Sequence, residues 1–370
     1  MFGANLRYYE PVPSPGRDIV QSPQVAGVGR AFPRHYYDQE TLLAALKDAW
    51  AQHHFNADRL DTIHRNVLVG GRHLALPLEE YRELTSWGAA NAAWLRVARD
   101  VGERAVREAV RSAGIGFDDI DAFLFATVTG ISTPSLDALL MNQLGLPSRV
   151  KRTPIFGLGC VAGAAGIARA ADYLVGHPDE VAVLLSVELC SLTLQRDDLS
   201  VPNVIATGLF GDGAAAAVLA GGNRAGSGPR VVATRSIFYP DSERVMGWDV
   251  SDTGFRLVLS ADVPKVVIEH MAHDVDAFLC DCRLARADIA RWISHPGGPK
   301  VLSAMQEALG LPAEALEASW RTLREVGNLS STSVLLVLQD VMVRPPPVGG
   351  YGLIIAMGPG FCSELVLLQW

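Results

Sequence analysis

Residues 156–166 read Phe-Gly-Leu-Gly-Cys-Val-Ala-Gly-Ala-Ala-Gly and join an apolar segment to an alanine-rich one. This change of composition predicts a strand that ends in a glycine turn and is followed by a buried helix. Cys160 would then lie at the N-terminus of that helix, where the helix dipole lowers the pKa of a thiol and favours the thiolate. The alternative is that the small residues mark only close helix packing, with Cys160 as a small core residue.

The order of elements around this stretch recurs later in the chain. Residues 118–127 read as an acidic helix end followed by a buried strand, and residues 287–295 repeat that pattern. An apolar helix follows each, after Gly159-Cys160 in the first case and after Gly327-Asn328 in the second. A continuous apolar strand comes next in both, as is typical of strands buried on both faces. The matched positions favour a true duplication over the generic repetition of α/β proteins.

The duplication predicts an α/β protein with two similar βαβα halves. The N-terminal half, residues 1–220, carries the thiol, and the C-terminal half, residues 221–370, carries a histidine and an asparagine of interest. The glycine-rich residues 221–229 form the seam. With 370 residues, of which 49% are hydrophobic, the chain can bury a large core. Two equivalent helix N-termini would meet in a pocket between the halves.

Composition excludes several other classes of protein. The net charge is −8 and no run is rich in lysine or arginine, which argues against a nucleic-acid partner. The five cysteines are an odd number that does not resemble a disulfide framework, and the Cys280-Asp281-Cys282 spacing is too tight for a zinc site. No segment has the length of a signal peptide core or of a membrane span. We therefore expect a soluble, cytoplasmic protein without a metal.

Three residues offer complementary chemistry. Cys160 can attack a thioester, and His295, at a strand end beside two glycines, can pair with the thiolate. The imidazole and the Asn328 amide can stabilise an oxyanion or an enolate. Taken singly, His295 could be an ordinary loop histidine and Asn328 a helix N-cap. Together they suit the condensation of acyl thioesters.

The motifs that contain these residues resemble those of the type III polyketide synthases, the chalcone synthase-like branch of the condensing enzymes with the thiolase fold. The resemblance runs from about residue 26 to residue 370, and its motifs are residues 159–163, 210–215, 295–299, 327–331 and 358–361. It implies a five-layered αβαβα arrangement and a homodimer that needs no cofactor. It also implies that Cys160 accepts an acyl group from coenzyme A (CoA), while His295 and Asn328 decarboxylate malonyl-CoA and hold the enolate.

The resemblance also assigns residues around the cavity. It implies a gatekeeper at Phe210 and a second one at Leu257, with Phe255 as the alternative. Pocket positions fall on Cys190, Thr193 and Ser330, and Thr133 lies on a loop that reaches toward the partner subunit. The residues expected to bind CoA are Arg65, Arg72, Gly297, Gly298 and Lys300.

The sequences of these motifs most resemble those of bacterial alkylpyrone and alkylresorcinol synthases. Cys190 departs from the plant pattern, and Trp248 replaces a glycine of the plant cavity. This resemblance implies a long-chain fatty acyl-CoA starter and release of alkyl-α-pyrones. The alternatives are an alkylresorcinol product, a ketoacyl synthase of the initiating type, and an acyltransferase or thioesterase that does not elongate.

Overall fold

The computed structural model describes residues 21–51, 56–224 and 226–370. Residues 1–20, which the predicted N-terminal half includes, lie outside the described residues. The strands of the described part are β1 (Gln24–Ala31), β2 (His35–Asp38), β3 (Gly71–Leu74), β4 (Ala122–Thr127), β5 (Lys151–Phe156), β6 (Val181–Leu189), β7 (Asp212–Ala220), β8 (Arg230–Phe238), β9 (Met246–Ser251), β10 (Gly254–Leu259), β11 (Ile289–Ser294), β12 (Tyr351–Gly358) and β13 (Cys362–Gln369). The α-helices are α1 (Gln39–Ala49), α2 (Ala57–Asn66), α3 (Trp87–Ala113), α4 (Leu136–Leu144), α5 (Ala162–Gly176), α6 (Val201–Leu209), α7 (Val263–Asp281), α8 (Pro299–Leu309), α9 (Glu317–Val326) and α10 (Ser333–Val343).

Two sheets with the same pairing pattern form the frame. The nine strands are hydrogen-bonded in one continuous order, β11-β12-β13-β8-β1-β7-β6-β4-β5. We call β5-β4-β6-β7-β1 the first sheet and β11-β12-β13-β8 the second, because they meet only at the β1–β8 edge. In each, parallel strands are followed by antiparallel ones: β4 runs parallel to β6 and β11 parallel to β12, while β7 and β13 are antiparallel to their neighbours. A single pairing, Gln24 with Arg230, joins the two edges. The buried strands predicted in both halves are therefore present.

Helices α5 and α10 lie between the two sheets and are mostly buried. Helix α3 covers the outer face of the first sheet, and helices α7 and α8 cover that of the second. Gly29 of β1 permits the close approach of α3, because a Cβ atom there would come within 2.3 Å of the Ala109 backbone nitrogen. The layers run α-β-α-β-α, which confirms the predicted arrangement.

The two acidic segments differ from the prediction in one detail. Residues Phe117–Asp119 and Arg286–Asp288 each form a single 3-10 turn before the strand, instead of the end of an α-helix. In both cases the carboxylate of the third residue of the turn accepts a hydrogen bond from the backbone N–H of the residue that precedes the turn, Gly116 or Ala285.

Two expectations concern the whole described part of the chain. None of its helices combines the length and apolarity that crossing a bilayer requires. Nor does it contain a cluster of three or more His, Cys, Asp or Glu side chains placed to hold a metal ion. Cys280 lies in the last turn of α7, and Cys282 immediately follows that helix.

Candidate active site

Cys160 lies where the two halves touch. A 3-10 turn, Gly159–Val161, carries it from β5 into α5, and its side chain is buried. The neighbouring glycines are needed because other backbone segments come so close. A Cβ atom on Gly159 would lie 2.6 Å from the Pro359 ring, and one on Gly163 would lie 2.2 Å from the Ser331 carbonyl oxygen. The turn that begins α10 therefore packs directly on the start of α5.

His295 and Asn328 line the same cavity as the thiol. His295 follows β11, and its backbone N–H donates to the Ile355 carbonyl at 2.8 Å. Its two ring nitrogens are buried and have no hydrogen-bond partner within the described residues. The backbone of His295 is therefore fixed by a hydrogen bond, while both ring nitrogens remain available to a substrate.

Asn328 is oriented by two hydrogen bonds. Its Nδ2 donates to the Gly297 carbonyl at 3.1 Å, and its Oδ1 accepts from the Ser330 backbone N–H at 2.8 Å. The second bond resembles the predicted N-cap alternative, but α10 begins only at Ser333 and Asn328 does not cap it. The amide is thus fixed by the His295 loop on one side and by the Ser330 turn on the other.

The resting thiol is neutral, contrary to the prediction from the helix position. Burial raises the pKa of Cys160 to about 12, although the Ser330 hydroxyl, 3.5 Å from Cys160 Sγ, acts in the opposite direction. Burial also lowers the pKa of His295 to about 3. The sequence could not show this desolvation, which opposes both charged forms. A neutral imidazole beside a neutral thiol can still act as the base that removes the thiol proton during acyl transfer.

The main cavity has a volume of about 660 Å³ and a predominantly apolar wall. Leu257 lines it, whereas Phe255 is buried against Trp87 with ring centroids 5.6 Å apart. Of the residues predicted for the site, those at this cavity are Cys160, His295, Asn328, Phe210, Leu257, Cys190, Ser330, Gly297, Gly298 and Lys300.

A second cavity, of about 830 Å³, lies beside the first. Cys190, Phe210, Trp248 and Leu257 line both cavities and so form the partition between them. Thr193 faces the second cavity only, and its hydroxyl donates to the Cys190 carbonyl at 2.8 Å.

Three other predicted residues lie away from the main cavity. Arg72 is buried below Phe210, which contradicts the expected contact with CoA phosphates at a solvent-open mouth. Arg65 is exposed on α2 without lining either cavity, and Thr133 is exposed on the surface. Arg59 was not predicted as a site residue, but it lines the main cavity with Thr62, Ile63 and Asn66. Their spacing of three or four residues on one helix face is the signal that could have indicated it.

A buried carboxyl group behind the thiol was also missed. Glu188 Oε2 accepts hydrogen bonds from the Val128 backbone at 3.1 Å and from the Thr129 hydroxyl at 3.0 Å, and the Ser331 hydroxyl donates to Oε1. Burial raises the pKa of Glu188 to about 7. Glu188 connects β6 to the turn that packs against Cys160, and it raises the pKa of that thiol further.

Comparison with known proteins gives a consistent answer. Residues 20–223 match the sequence profile of the N-terminal domain of chalcone and stilbene synthases, and residues 230–370 match that of the C-terminal domain. A 1,3,6,8-tetrahydroxynaphthalene synthase from Streptomyces peucetius subsp. caesius is 50% identical over 356 residues, which cover 95% of this chain and 94% of the relative. A phloroglucinol synthase from Pseudomonas fluorescens is 34% identical, with 92% and 97% covered.

A solved structure agrees with these relatives. The crystal structure of 1,3,6,8-tetrahydroxynaphthalene synthase from Streptomyces coelicolor A3(2) superposes with a TM-score of 0.89 at 31% identity, covering 94% of this chain and 99% of that one. The layered fold and the Cys-His-Asn cavity define a condensing enzyme with the thiolase fold. The chain belongs to the chalcone and stilbene synthase family, the type III polyketide synthases. It is an acyltransferase that condenses malonyl-CoA iteratively, as the motifs indicated.

Proposed function

We propose that this enzyme makes a polyhydroxylated aromatic compound, tetrahydroxynaphthalene or a close relative of it, from malonyl-CoA as both starter and extender. The observation that supports this is the 50% identity with a 1,3,6,8-tetrahydroxynaphthalene synthase over 95% of the chain. We therefore prefer malonyl-CoA to a fatty acyl-CoA as the starter of this enzyme.

The overall reaction balances without any further reactant. Five malonyl-CoA molecules give one tetrahydroxynaphthalene, five CO₂, five CoA and one water. Each of the four condensations forms a carbon–carbon bond as the carbon–carboxylate bond of an extender malonyl group breaks and CO₂ leaves, and the fifth CO₂ comes from the carboxylate of the starter. Closure of the two rings releases the last CoA and the water. Decarboxylation supplies the carbanion, so we propose that no metal or organic cofactor takes part.

The residues divide this work between them. The Cys160 thiol, with His295 as its base, attacks the malonyl thioester and releases CoA. The incoming malonyl-CoA then places its thioester carbonyl between a ring nitrogen of His295 and the Asn328 amide, which stabilise the enolate left by CO₂. The enolate attacks the acyl group on Cys160 and expels the cysteine thiolate. The lengthened chain, now a CoA thioester, is transferred back to Cys160 with release of CoA before the next round. Arg59 and Lys300, both lining the main cavity, are our candidates for binding the CoA phosphates.

We further propose that the enzyme works as a homodimer in the cytoplasm, where malonyl-CoA is available. The exposed position of Thr133 is compatible with the expected reach into a partner subunit. A residue that contributes to the neighbouring cavity has to project from the surface of its own subunit.

A long-chain fatty acyl starter with release of alkyl-α-pyrones, or of alkylresorcinols, is the second candidate. The apolar wall of the main cavity favours it, because apolar surface is what an alkyl chain requires. Side chains such as Leu209, Leu259 and Met305 contribute to this wall.

One experiment separates the two candidates. Purified enzyme is given ¹³C-malonyl-CoA alone, or with palmitoyl-CoA, and products are identified by mass spectrometry beside a Cys160→Ala control. A fully labelled C10 aromatic from malonyl-CoA alone is the expected result. Products that appear only with palmitoyl-CoA, carrying an unlabelled alkyl chain, would transfer the assignment to the second candidate.

A further inference from the structure

The second cavity borders directly on the acyl chain that Cys160 would carry. It lies between α1, residues 78–82, α6 and the segment that follows Cys190. Only the partition of Cys190, Phe210, Trp248 and Leu257 separates it from the main cavity. A chain that grows on the thiol would have to pass between these four side chains to enter the second cavity.

The hydroxyl and amide donors in this second cavity are already used by the protein. The Thr193 and Thr207 hydroxyls each donate to a backbone carbonyl at 2.8 Å. The Ser191 hydroxyl donates to the Asp212 carboxylate, and the Asn203 amide donates to two backbone carbonyls. A ligand in this cavity would have to find its hydrogen-bond donor elsewhere.

Arg72 is a buried side chain at this cavity whose N–H donors are not all used in hydrogen bonds to the protein. It is 3% exposed, and its Nη1 donates to the Phe210 carbonyl at 2.8 Å. Its Nε has no hydrogen-bond partner. None of the ion pairs formed among the described residues includes the Arg72 guanidinium. The charge of Asp212 raises the pKa of Arg72 without an ion pair between them, and the Asp212 carboxylate accepts hydrogen bonds from the Ala75 and Ser191 backbones. A buried cation without a close anion is costly and is stabilised by an anionic ligand.

A malonyl starter provides such an anion. It ends in a carboxylate, whereas acetyl, hexanoyl and palmitoyl starters have no charge at that end. Guanidinium and carboxylate groups pair through two parallel hydrogen bonds, which gives the pair both strength and a defined orientation. Burial lowers the pKa of Arg72 to about 10, so the side chain stays charged at neutral pH.

We propose that the second cavity is a binding subsite for the carboxylate end of a malonyl-primed chain, and that Arg72 binds this carboxylate. This inference rests on the malonyl starter of the proposed function. It gives the enzyme a means of choosing malonyl over uncharged starters that does not depend on Cys160, His295 or Asn328.

The test compares two priming routes in the same variants. Arg72→Gln and Arg72→Lys are assayed for kcat/KM with malonyl-CoA alone, and with the uncharged starter that the wild type uses best from acetyl-, butyryl- and hexanoyl-CoA. Because Arg72 also holds Phe210, both routes should slow. If the subsite exists, Arg72→Gln lowers kcat/KM of the malonyl-primed route by a factor at least ten times larger than its effect on the other route. Arg72→Lys should show a selectivity between those of Arg72→Gln and the wild type. Arg82→Gln, which removes an exposed arginine at the rim of the same cavity, is the matched control and should leave the ratio of the two routes unchanged.

A second variant keeps Arg72 and fills the cavity. Ala45 lines the second cavity but not the main one, so Ala45→Phe should also lower the malonyl-primed route selectively. Equal losses on both routes in the Arg72 and Ala45 variants would overturn the subsite and leave Arg72 as a positioning residue for Phe210. If the wild type makes nothing from malonyl-CoA alone, the proposed function itself fails, and this outcome is distinct from equal losses in the variants.

Discussion

Phe210 and Asn328 are joined by a short backbone bridge. The Asn328 N–H donates to the Leu209 carbonyl at 2.9 Å, and the Gly211 N–H donates to the Asn328 carbonyl at 3.0 Å. The side chain at the partition between the cavities and the amide that lines the main cavity therefore lie on one hydrogen-bonded segment. A change that moves one of them will move the other.

The first prediction concerns the Asn328 amide. Asn328→Asp keeps the shape of the side chain but replaces the Nδ2 donor with an oxygen that repels the Gly297 carbonyl. We expect decarboxylation of malonyl-CoA to fall by about 10²–10³, the usual cost of removing an oxyanion donor. Acylation of Cys160, followed by intact-protein mass spectrometry, should continue. A variant that loses acylation and decarboxylation together would contradict a specific role in enolate formation.

Ser330 should tune the reactivity of the thiol. Its hydroxyl lowers the pKa of Cys160, so Ser330→Ala should raise that pKa further and slow alkylation by iodoacetamide at pH 9 by roughly three- to tenfold. Ser330 has a positive φ of 47°, so Ser330→Gly separates the loss of the hydroxyl from backbone strain. Both variants should be slowed alike, and Cys160→Ala identifies the labelled residue. Faster alkylation of either variant would show that the hydroxyl shields the sulfur instead.

Glu188 should make the protein less stable as the pH rises. The folded state raises the pKa of Glu188 to about 7, above its unfolded value, so the native state holds the proton more tightly. The resulting stability is present below about pH 4 and is lost as the pH rises toward 7, by roughly 3 kcal/mol at most. Urea midpoints at pH 5 and pH 8 should therefore differ less in Glu188→Gln than in the wild type. Glu80→Gln removes an exposed charge and should retain the wild-type difference.

The fourth prediction compares two glycines with positive φ. Gly327 has φ 76° and ψ −165°, and a Cβ there would lie 2.6 Å from the Leu209 carbonyl oxygen. Gly310 has φ 64° with no atom within 4 Å of such a Cβ. Gly310→Ala should cost about 1 kcal/mol of unfolding free energy and leave activity intact. Gly327→Ala should cost about 3 kcal/mol and lower activity, because it displaces the Phe210–Asn328 bridge. Equal costs in urea unfolding would contradict this role of Gly327.

Cys160, His295 and Asn328 could be predicted because each stands beside glycines at the end of a strongly patterned element. The periodicity of the strands and helices predicts which layer of the fold each residue belongs to. The predicted duplication indicates that the helix N-termini of the two halves lie close together. Arg72 could not be placed in this way. Its strand is only four residues long, and nothing local shows that it packs beneath Phe210.

The protonation state of the Cys160 thiol could not be predicted from the sequence, for a different reason. A helix N-terminus is a local feature, whereas burial of Cys160 depends on side chains that come from the other half of the chain. Starter and product depend on cavity shape in the same way, and small residues in the sequence look alike whether they line a tunnel or a packed helix.

The order of strands in the second sheet also sets the order in which the enzyme can become active during synthesis. Strand β13, residues Cys362–Gln369, lies between β8 and β12 and is made after both. On the ribosome, the segment with the nucleophile emerges some two hundred residues before the strand that completes the opposite wall. For just over half of translation, the nascent chain therefore carries the Cys160 thiol before the complete site that consumes malonyl-CoA can form.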